Sequence, residues 1–239
     1  MDSAFIKVIQ ENNYSIKKGY KSRSNPQYFD DFTNMTWQPQ VYALANYLGK
    51  YLDCSYVIDI GCGTAGKLVK CFPEFQIIGV DMGSNLEFCQ KNYNYGTWIN
   101  HDLESSQMLN ISKDILDKSV IVCSDVIEHL KNPCYLLWNI KNMMNYAPAC
   151  ILSTPERDIV RGKNDFGPPE NISHVREWNM NELVDLFNFF SLNIKFTGLT
   201  INNDVHKRRE TILAMLVNDS HHKAKQLGEL KTQTIKDII

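Results

Sequence analysis

Short apolar runs alternate along this chain with longer stretches whose apolar residues recur every three or four positions. Tyr56-Val57-Ile58-Asp59-Ile60, Gln76-Ile77-Ile78-Gly79-Val80, Val120-Ile121-Val122-Cys123 and Ala149-Cys150-Ile151-Leu152-Ser153 are nearly continuous in apolar character. Such runs suit strands covered on both faces. Thr97-Trp98-Ile99-Asn100 is a weaker fifth. The segments 65–72, 85–93 and 130–146 between them carry helical spacing, and strand–helix alternation of this kind predicts a parallel sheet. The last third reads differently: a helix over 181–190, then strands over 192–201 and 210–217 joined by the polar turn 202–209, short enough for an antiparallel hairpin. The predicted architecture is α/β, a mostly parallel seven-stranded sheet with a C-terminal antiparallel hairpin.

The ends of the chain differ from its middle. Residues 1–51 are largely polar with scattered aromatics (Tyr20, Tyr28, Phe29, Phe32, Trp37) and a helix predicted over 39–51; they read as an N-terminal cap over the site. Residues 52–217 form the predicted main domain, and the polar tail 218–239 reads as a surface helix or a frayed end. A length of 239 residues suits one α/β domain, and 44% hydrophobic with 22% charged residues excludes a disordered chain. The formal charge of -2 provides no basic field, which argues against nucleic acid as partner. Seven cysteines, without a C-x-x-C pair, sit mostly in apolar stretches and read as reduced thiols of a cytoplasmic protein. An N-terminus without a long apolar region, and no run of eighteen apolar residues, argue against secretion and a membrane span.

The turn after the first strand is Gly61-Cys62-Gly63-Thr64-Ala65-Gly66, a G-x-G-x-x-G that opens a helix. Glycine there lets a ligand approach the backbone closely, and the pattern alone fits a dinucleotide equally well. Asp59 discriminates, because a carboxylate beside the turn repels a pyrophosphate and attracts an ammonium or sulfonium. Asp81, ending the second strand, can accept both hydroxyls of a ribose, and Asp102 after the third can accept from an adenine amino group. Together the three acids favour S-adenosylmethionine over NAD.

Val57-Ile58-Asp59-Ile60-Gly61-Cys62-Gly63, Gly79-Val80-Asp81 and His101-Asp102-Leu103 resemble, in order and spacing, the first three motifs of the class I S-adenosylmethionine-dependent methyltransferases. The resemblance implies a Rossmann-like fold over 52–217. It also implies that Gly61, Cys62 and Gly63 wrap the methionine part, that Asp81 and Met82 hold ribose and adenine, that Asp102 and Leu103 contact adenine, and that Ser124 lies near the amino group. His101 is expected to flank the adenine pocket.

Past the fourth strand stands Ser124-Asp125-Val126-Ile127-Glu128-His129-Leu130. In a helical turn Asp125, Glu128 and His129 would share one face, at the carboxyl end of a strand where ligands collect. The aperiodic stretch 154–178 is expected to be a lid. Its Arg157, Arg161 and Arg176 are candidate clamps for a phosphate or carboxylate on the substrate. His206, His221 and His222 lie in polar segments and take no role.

The runs D-V-I-E-H-L, S-T-P-E-R-D and S-H-V-R-E-W resemble two branches of the methyltransferase family, bacterial enzymes of sugar and surface-glycan modification and small-RNA 3′-terminal 2′-O-methyltransferases. In the second branch an E-x-x-E-H run and a later histidine hold a divalent ion, magnesium or manganese. Glu128, His129 and His174 match that pattern, and Asp125 replaces its first Glu. His129 or His174 could deprotonate a hydroxyl, with Glu128 beside them, or a cation held by the set could acidify it. The expectation is methyl transfer to a hydroxyl of a small molecule: a sugar, a nucleotide-linked sugar, or a capsule or lipopolysaccharide precursor. Two alternatives stand beside it, an RNA 2′-O-methyltransferase and a non-catalytic S-adenosylmethionine-binding protein.

Overall fold

In the computed structural model, which describes residues 3–28 and 35–239, all the predicted strands join one sheet. They are β1 (Tyr56–Ile60), β2 (Gln76–Asp81), β3 (Thr97–Asn100), β4 (Ser119–Ser124), β5 (Ala149–Pro155), β6 (Ile194–Ile201) and β7 (Arg209–Val217). The order is β3-β2-β1-β4-β5-β7-β6. The first five run parallel, with Ile58 opposite Ile78 and Ile121. β7 lies antiparallel to both β5 and β6, so the chain closes the sheet with the expected hairpin.

Alternation along these strands builds two cores. Ile58, Ile60, Ile121, Cys123, Cys150 and Leu152 face one way. There they meet α1 (Ser3–Glu11), the short α5 (Lys113–Leu116), α6 (Cys134–Met143) and α8 (Met180–Phe189) through Ile9, Leu116, Leu137, Ile140, Leu183 and Phe187. Val57, Val120, Val122, Ile151, Leu213 and Met215 face the other way, against α2 (Pro39–Tyr51), α3 (Gly66–Cys71) and α4 (Gly83–Asn92). Because successive side chains of a strand alternate sides, a strand buried on both faces must be apolar throughout. That is why the runs of the sequence read as they do.

Three expectations change. Helix α2 is a layer of the sandwich rather than a cap: Val41, Leu44, Ala45 and Leu48 are fully buried on the sheet. The C-terminal tail is helical, as the first of its two expectations had it, but packed: α9 (Ala224–Glu229) and α10 (Thr232–Ile238) bury Leu227, Ile235 and Ile239 in the same core. The long loop is no free lid. After the short helix α7 (Arg157–Val160) it pairs with the N-terminal segment, Lys21 N–H donating to Phe166 O at 2.7 Å, Arg23 N–H to Val175 O at 2.7 Å and Gln27 N–H to Ile172 O at 2.9 Å. Residues 173–178 are buried. Of the N-terminal aromatics, Phe29 and Phe32 lie outside the described residues, and Tyr20 and Trp37 sit against the body of the fold; Tyr14, which the sequence did not single out, does so too. Among the described residues no helix is long and apolar enough to cross a membrane, and the seven cysteines are free.

Candidate active site

A cleft of about 660 Å³ opens at the carboxyl ends of β1, β2 and β4, where ligands of open parallel sheets collect. Gly61, Asp81, Met82, Asp102, Leu103 and His129 are among its walls. Gly61 turns the chain at φ +73, and a Cβ there would lie 2.4 Å from a Val126 methyl, so only glycine fits. At Gly63, φ +56, a Cβ would project into open space. Asp81 is held rigid by the turn: Gly63 N–H donates to its Oδ2 at 2.8 Å, and Met82 N–H to its Oδ1 at 2.8 Å. Asn85 adds a third donor at 3.3 Å. A carboxylate has roughly four acceptor positions, which leaves Asp81 capacity for a ligand hydroxyl. Asp102 Oδ1 caps the Glu104 N–H at 2.8 Å, and Leu103 is buried beside it. His101 Nε2 is buried without a hydrogen-bond partner.

Asp59, Cys62, Gly63 and Ser124 are not part of the lining of that cleft. Asp59, 1% exposed, accepts from the Tyr42 hydroxyl at 2.9 Å through Oδ2, and its Oδ1 is buried without a partner. Burial pushes this carboxyl up to about 7, with the nearby Lys67 opposing the shift. The Cys62 thiol is turned into the core toward Gly63 O at 3.6 Å. Ser124 Oγ pairs with Ser153 Oγ at 2.9 Å. An orphaned acidic oxygen under the turn, spare acceptor capacity on Asp81 and a glycine opening onto free space together fit S-adenosylmethionine, a cation with a ribose diol.

The acid–histidine run does not form the helical turn expected of it. Asp125 takes φ +54, a left-handed conformation, and residues 127–129 make a single 3-10 turn before Pro133 starts α6. The result is nonetheless convergence. Glu128, 0% exposed, accepts from Thr154 Oγ1 of β5 at 2.9 Å through Oε2, and its Oε1 is buried and unpartnered. Its backbone carbonyl accepts from Val175 N–H at 2.7 Å, and this contact draws the His174 segment onto the turn. One ligand atom each of Glu128, His129 and His174 lies within 4.8 Å of the others. The two rings stand edge to face with centroids 4.8 Å apart.

The electrostatics of this corner follow from its burial. Burial, with the Asp125 carboxyl alongside, holds Glu128 well above the usual carboxylate range. Burial and the neighbouring His174 push His129 down to about 4, so its ring is neutral. His129 Nδ1 lies 3.0 Å from Ser173 O. A carbonyl only accepts, so the proton is on Nδ1 and Nε2 carries a lone pair. Burial alone would lift Glu177; hydrogen bonds and charge from His174 and Arg161 hold it below the usual range instead. Two bare imidazole nitrogens with one carboxylate oxygen fit a divalent cation of borderline softness. Asp125 stands apart from this group. It lines the cleft but is held by Gln38 Nε2 at 2.8 Å and Ser153 Oγ at 3.2 Å.

The arginines expected to clamp a substrate are spent inside the protein. Arg157, 0% exposed, grips Glu182 through two nitrogens at 2.5 and 3.0 Å and Asp158 at 2.9 Å. Arg161 pairs with Asp165 and Glu177. Arg176 donates to the carbonyls of Leu130 and Lys131 and lies over the Tyr14 ring. A second cluster, Asp117, His221 and His222, lies beyond the opposite end of β4. His221 Nδ1 accepts the Lys223 N–H at 3.1 Å, which puts the proton of the neutral ring on Nε2, 3.2 Å from Asp117 Oδ1. Its lone pair is used and its free nitrogen is a donor, so it is a staple and not a cation site.

A family model described as a methyltransferase domain matches residues 36–194. The chain belongs to this family of S-adenosylmethionine-dependent methyltransferases. The match begins just before α2, which agrees with that helix being a layer of the sandwich. Ubiquinone biosynthesis O-methyltransferases of Coxiella burnetii are 26% identical over 110 residues, 45% of this chain and 47% of theirs. The chain thus spans about half the length of the curated relatives it matches. Among solved structures, small RNA methyltransferase HEN1 matches with TM-score 0.55 and 18% identity, over 84% of this chain and 27% of that one. The methyltransferase domain of bacterial CtHen1-CN gives 0.54 and 18%, over 76% and 100%. The plantazolicin methyltransferase BpumL gives 0.52 and 13%, over 76% and 86%. At such identities these likenesses are ones of fold.

Sequence reasoning missed several residues that shape the site. Gln38, Thr154, Asn171 and Glu177 act on the motif residues from other elements. Thr154 and Glu177 carried a sequence signal, their places in the S-T-P-E-R-D and S-H-V-R-E-W runs.

Proposed function

We propose that this methyltransferase transfers the methyl group of S-adenosylmethionine to a hydroxyl of a small sugar-containing acceptor, a carbohydrate or a nucleotide-linked sugar, in the cytoplasm. The observation that carries the reading is the meeting of Glu128, His129 and His174 behind the wall of the cofactor-sized cleft, which His129 itself lines. The cofactor supplies an electrophilic methyl on a sulfonium. Asp81 offers acceptors to a diol, Asp59 offers negative charge beneath the turn, and Asp102 and Leu103 border the far end. The protein's task at the acceptor is to orient a hydroxyl and take its proton, since displacement at a methyl needs little else.

His129 is neutral and carries a free Nε2, the state a proton acceptor requires. A divalent cation, when bound, would be held by Glu128, His129 and His174 and would supply Lewis acidity toward the hydroxyl. The wall beside His129 adds Tyr28, Glu104 and Lys131, an aromatic face with polar neighbours that suits a sugar ring.

A second reading places the hydroxyl on the terminal ribose of an RNA. The same three side chains and the likeness in fold to small-RNA methyltransferases favour it. Against it stand the formal charge of -2 and the internal pairing of Arg157, Arg161 and Arg176. Methyl-labelled S-adenosylmethionine offered with sugars, nucleotide sugars and short RNA at rising salt, with and without EDTA, separates the readings. Label on sugar hydroxyls supports the proposal. Label on RNA alone, falling steeply with salt, transfers it to the second. Cofactor binding without transfer to any acceptor would leave a binding protein.

A further inference from the structure

The two ring nitrogens of His174 carry different partners, and those partners decide where its proton sits. Nδ1 lies 2.6 Å from Glu177 Oε1, and an ionised carboxylate only accepts. Nε2 lies 3.0 Å from Asn171 Nδ2. The orientation of that amide is itself determined: Asn171 Oδ1 accepts from the Ser173 N–H at 3.0 Å and from its hydroxyl at 2.8 Å, which turns the NH₂ end to the imidazole. An acceptor at Nδ1 and a donor at Nε2 admit one neutral tautomer, with the proton on Nδ1. Glu177 is not free to turn away. Its Oε2 accepts from Arg161 Nη1 at 3.1 Å, and Arg161 Nη2 is anchored in turn on Asp165 at 2.5 Å and on Pro168 O at 2.7 Å. His174, Glu177 and the Arg161 side chain are all buried.

We infer that Glu177 is a positioning residue of this site: it fixes His174 as the Nδ1–H tautomer and so keeps Nε2 a bare nitrogen, which the Asn171 amide occupies until a cation or an acceptor hydroxyl displaces it. The functional half rests on the proposed role of Glu128, His129 and His174; the tautomer does not. The two neighbours of His174 therefore work in opposite senses. Glu177 orients the ring and strengthens it as a ligand or base. Asn171 covers the same lone pair and must leave before it is used. Glutamine at 177 would have one oxygen for two donors. The permanently charged Arg161 takes it, the amide NH₂ then faces Nδ1, and the ring proton moves to Nε2.

Long-range ¹H–¹⁵N spectra of the labelled full chain read this tautomer directly, with the His174 signals assigned by their loss in His174→Ala. The wild type is expected to have Nδ1 protonated and Nε2 bare, and Glu177→Gln to reverse them. Zn²⁺, a diamagnetic probe, titrated by calorimetry should bind about tenfold to a hundredfold more weakly to Glu177→Gln. It should bind roughly threefold to tenfold more tightly to Asn171→Ala, which loses the competing hydrogen bond together with the two that the same amide accepts from Ser173. Asn171 is exposed, so this variant still decides if Glu177→Gln fails to fold. An Nε2-protonated His174 in the wild type, or Zn²⁺ affinity unchanged in Asn171→Ala with uptake intact, would overturn the inference. Ring signals that follow the expectation with no Zn²⁺ uptake by any form would uphold the tautomer and count against the cation at the proposed centre instead.

Discussion

Two clusters of histidine and carboxylate sit at opposite ends of the same strand, Glu128, His129 and His174 past its carboxyl end and Asp117, His221 and His222 before its start. Their residue types are nearly the same. What separates them is the bond at the other ring nitrogen. His129 Nδ1 meets a carbonyl and His174 Nδ1 a carboxylate, so both rings carry their proton there as donors and keep Nε2 bare. His221 Nδ1 meets a backbone N–H, so its remaining nitrogen carries the proton, 3.2 Å from Asp117 Oδ1. Composition and proximity do not tell the two apart; the hydrogen bond behind each imidazole does.

The sharpest way to break this contrast is to exchange the roles of the two carboxylates. Glu128→Ala should abolish divalent-ion uptake and lower turnover by about 10²–10⁴, with cofactor affinity kept. Asp117→Asn should do neither; equal loss from both in a methyl-transfer assay would dissolve the distinction. The next largest effect tests whether the loop arginines are structural. Arg157→Ala leaves the buried Glu182 and the half-buried Asp158 without their charged partner and should cost about 3–5 kcal/mol of unfolding free energy, while the acceptor KM stays unchanged. A raised KM at unaltered stability would return Arg157 to the substrate.

Asp59 gives the third prediction. Its carboxyl is raised from 3.8 to about 7 in the folded protein, so between those values the native state binds more protons than the unfolded chain. Stability from this group is therefore full below about pH 4 and lost as pH rises through 7, a swing of about 4 kcal/mol. In Asp59→Asn that slope should vanish from denaturant titrations of the ligand-free protein. Because a sulfonium favours the ionised carboxylate, the preference for S-adenosylmethionine over its neutral demethylated product should rise across the same range in the wild type and stay flat in the variant. The smallest effect belongs to the second cluster: His221→Ala should cost roughly 1 kcal/mol as one lost hydrogen-bonded contact, with turnover intact by the same assay.

Much of this was legible before any coordinates, and the reasons are physical. β4 and β5 are covered on both faces, so their burial is written as unbroken Val, Ile, Cys and Leu. The glycine turn and the acids at the strand ends are local features, readable from spacing alone. Interactions that depend on distant partners were not readable. Arg157 reads as a free loop cation until Glu182 of α8 is brought against it. The tail reads as a surface helix or a frayed end because Leu227, Ile235 and Ile239 are sparse among polar residues, yet each finds the core. Asp125 breaks the expected helical face with a left-handed backbone that no residue pattern announced. Asn171 is one polar loop residue among several, and only the fold sets it on His174.

The central claim is that His129 and His174 act on the acceptor and not on the cofactor. A single-turnover experiment, with labelled S-adenosylmethionine bound in advance and its affinity measured on the same samples, isolates that step for the His129→Ala/His174→Ala double variant. The double variant is expected to keep wild-type cofactor affinity with transfer to a sugar hydroxyl reduced at least about a hundredfold. Transfer at the wild-type rate, or a loss accounted for wholly by weaker cofactor binding, would contradict it.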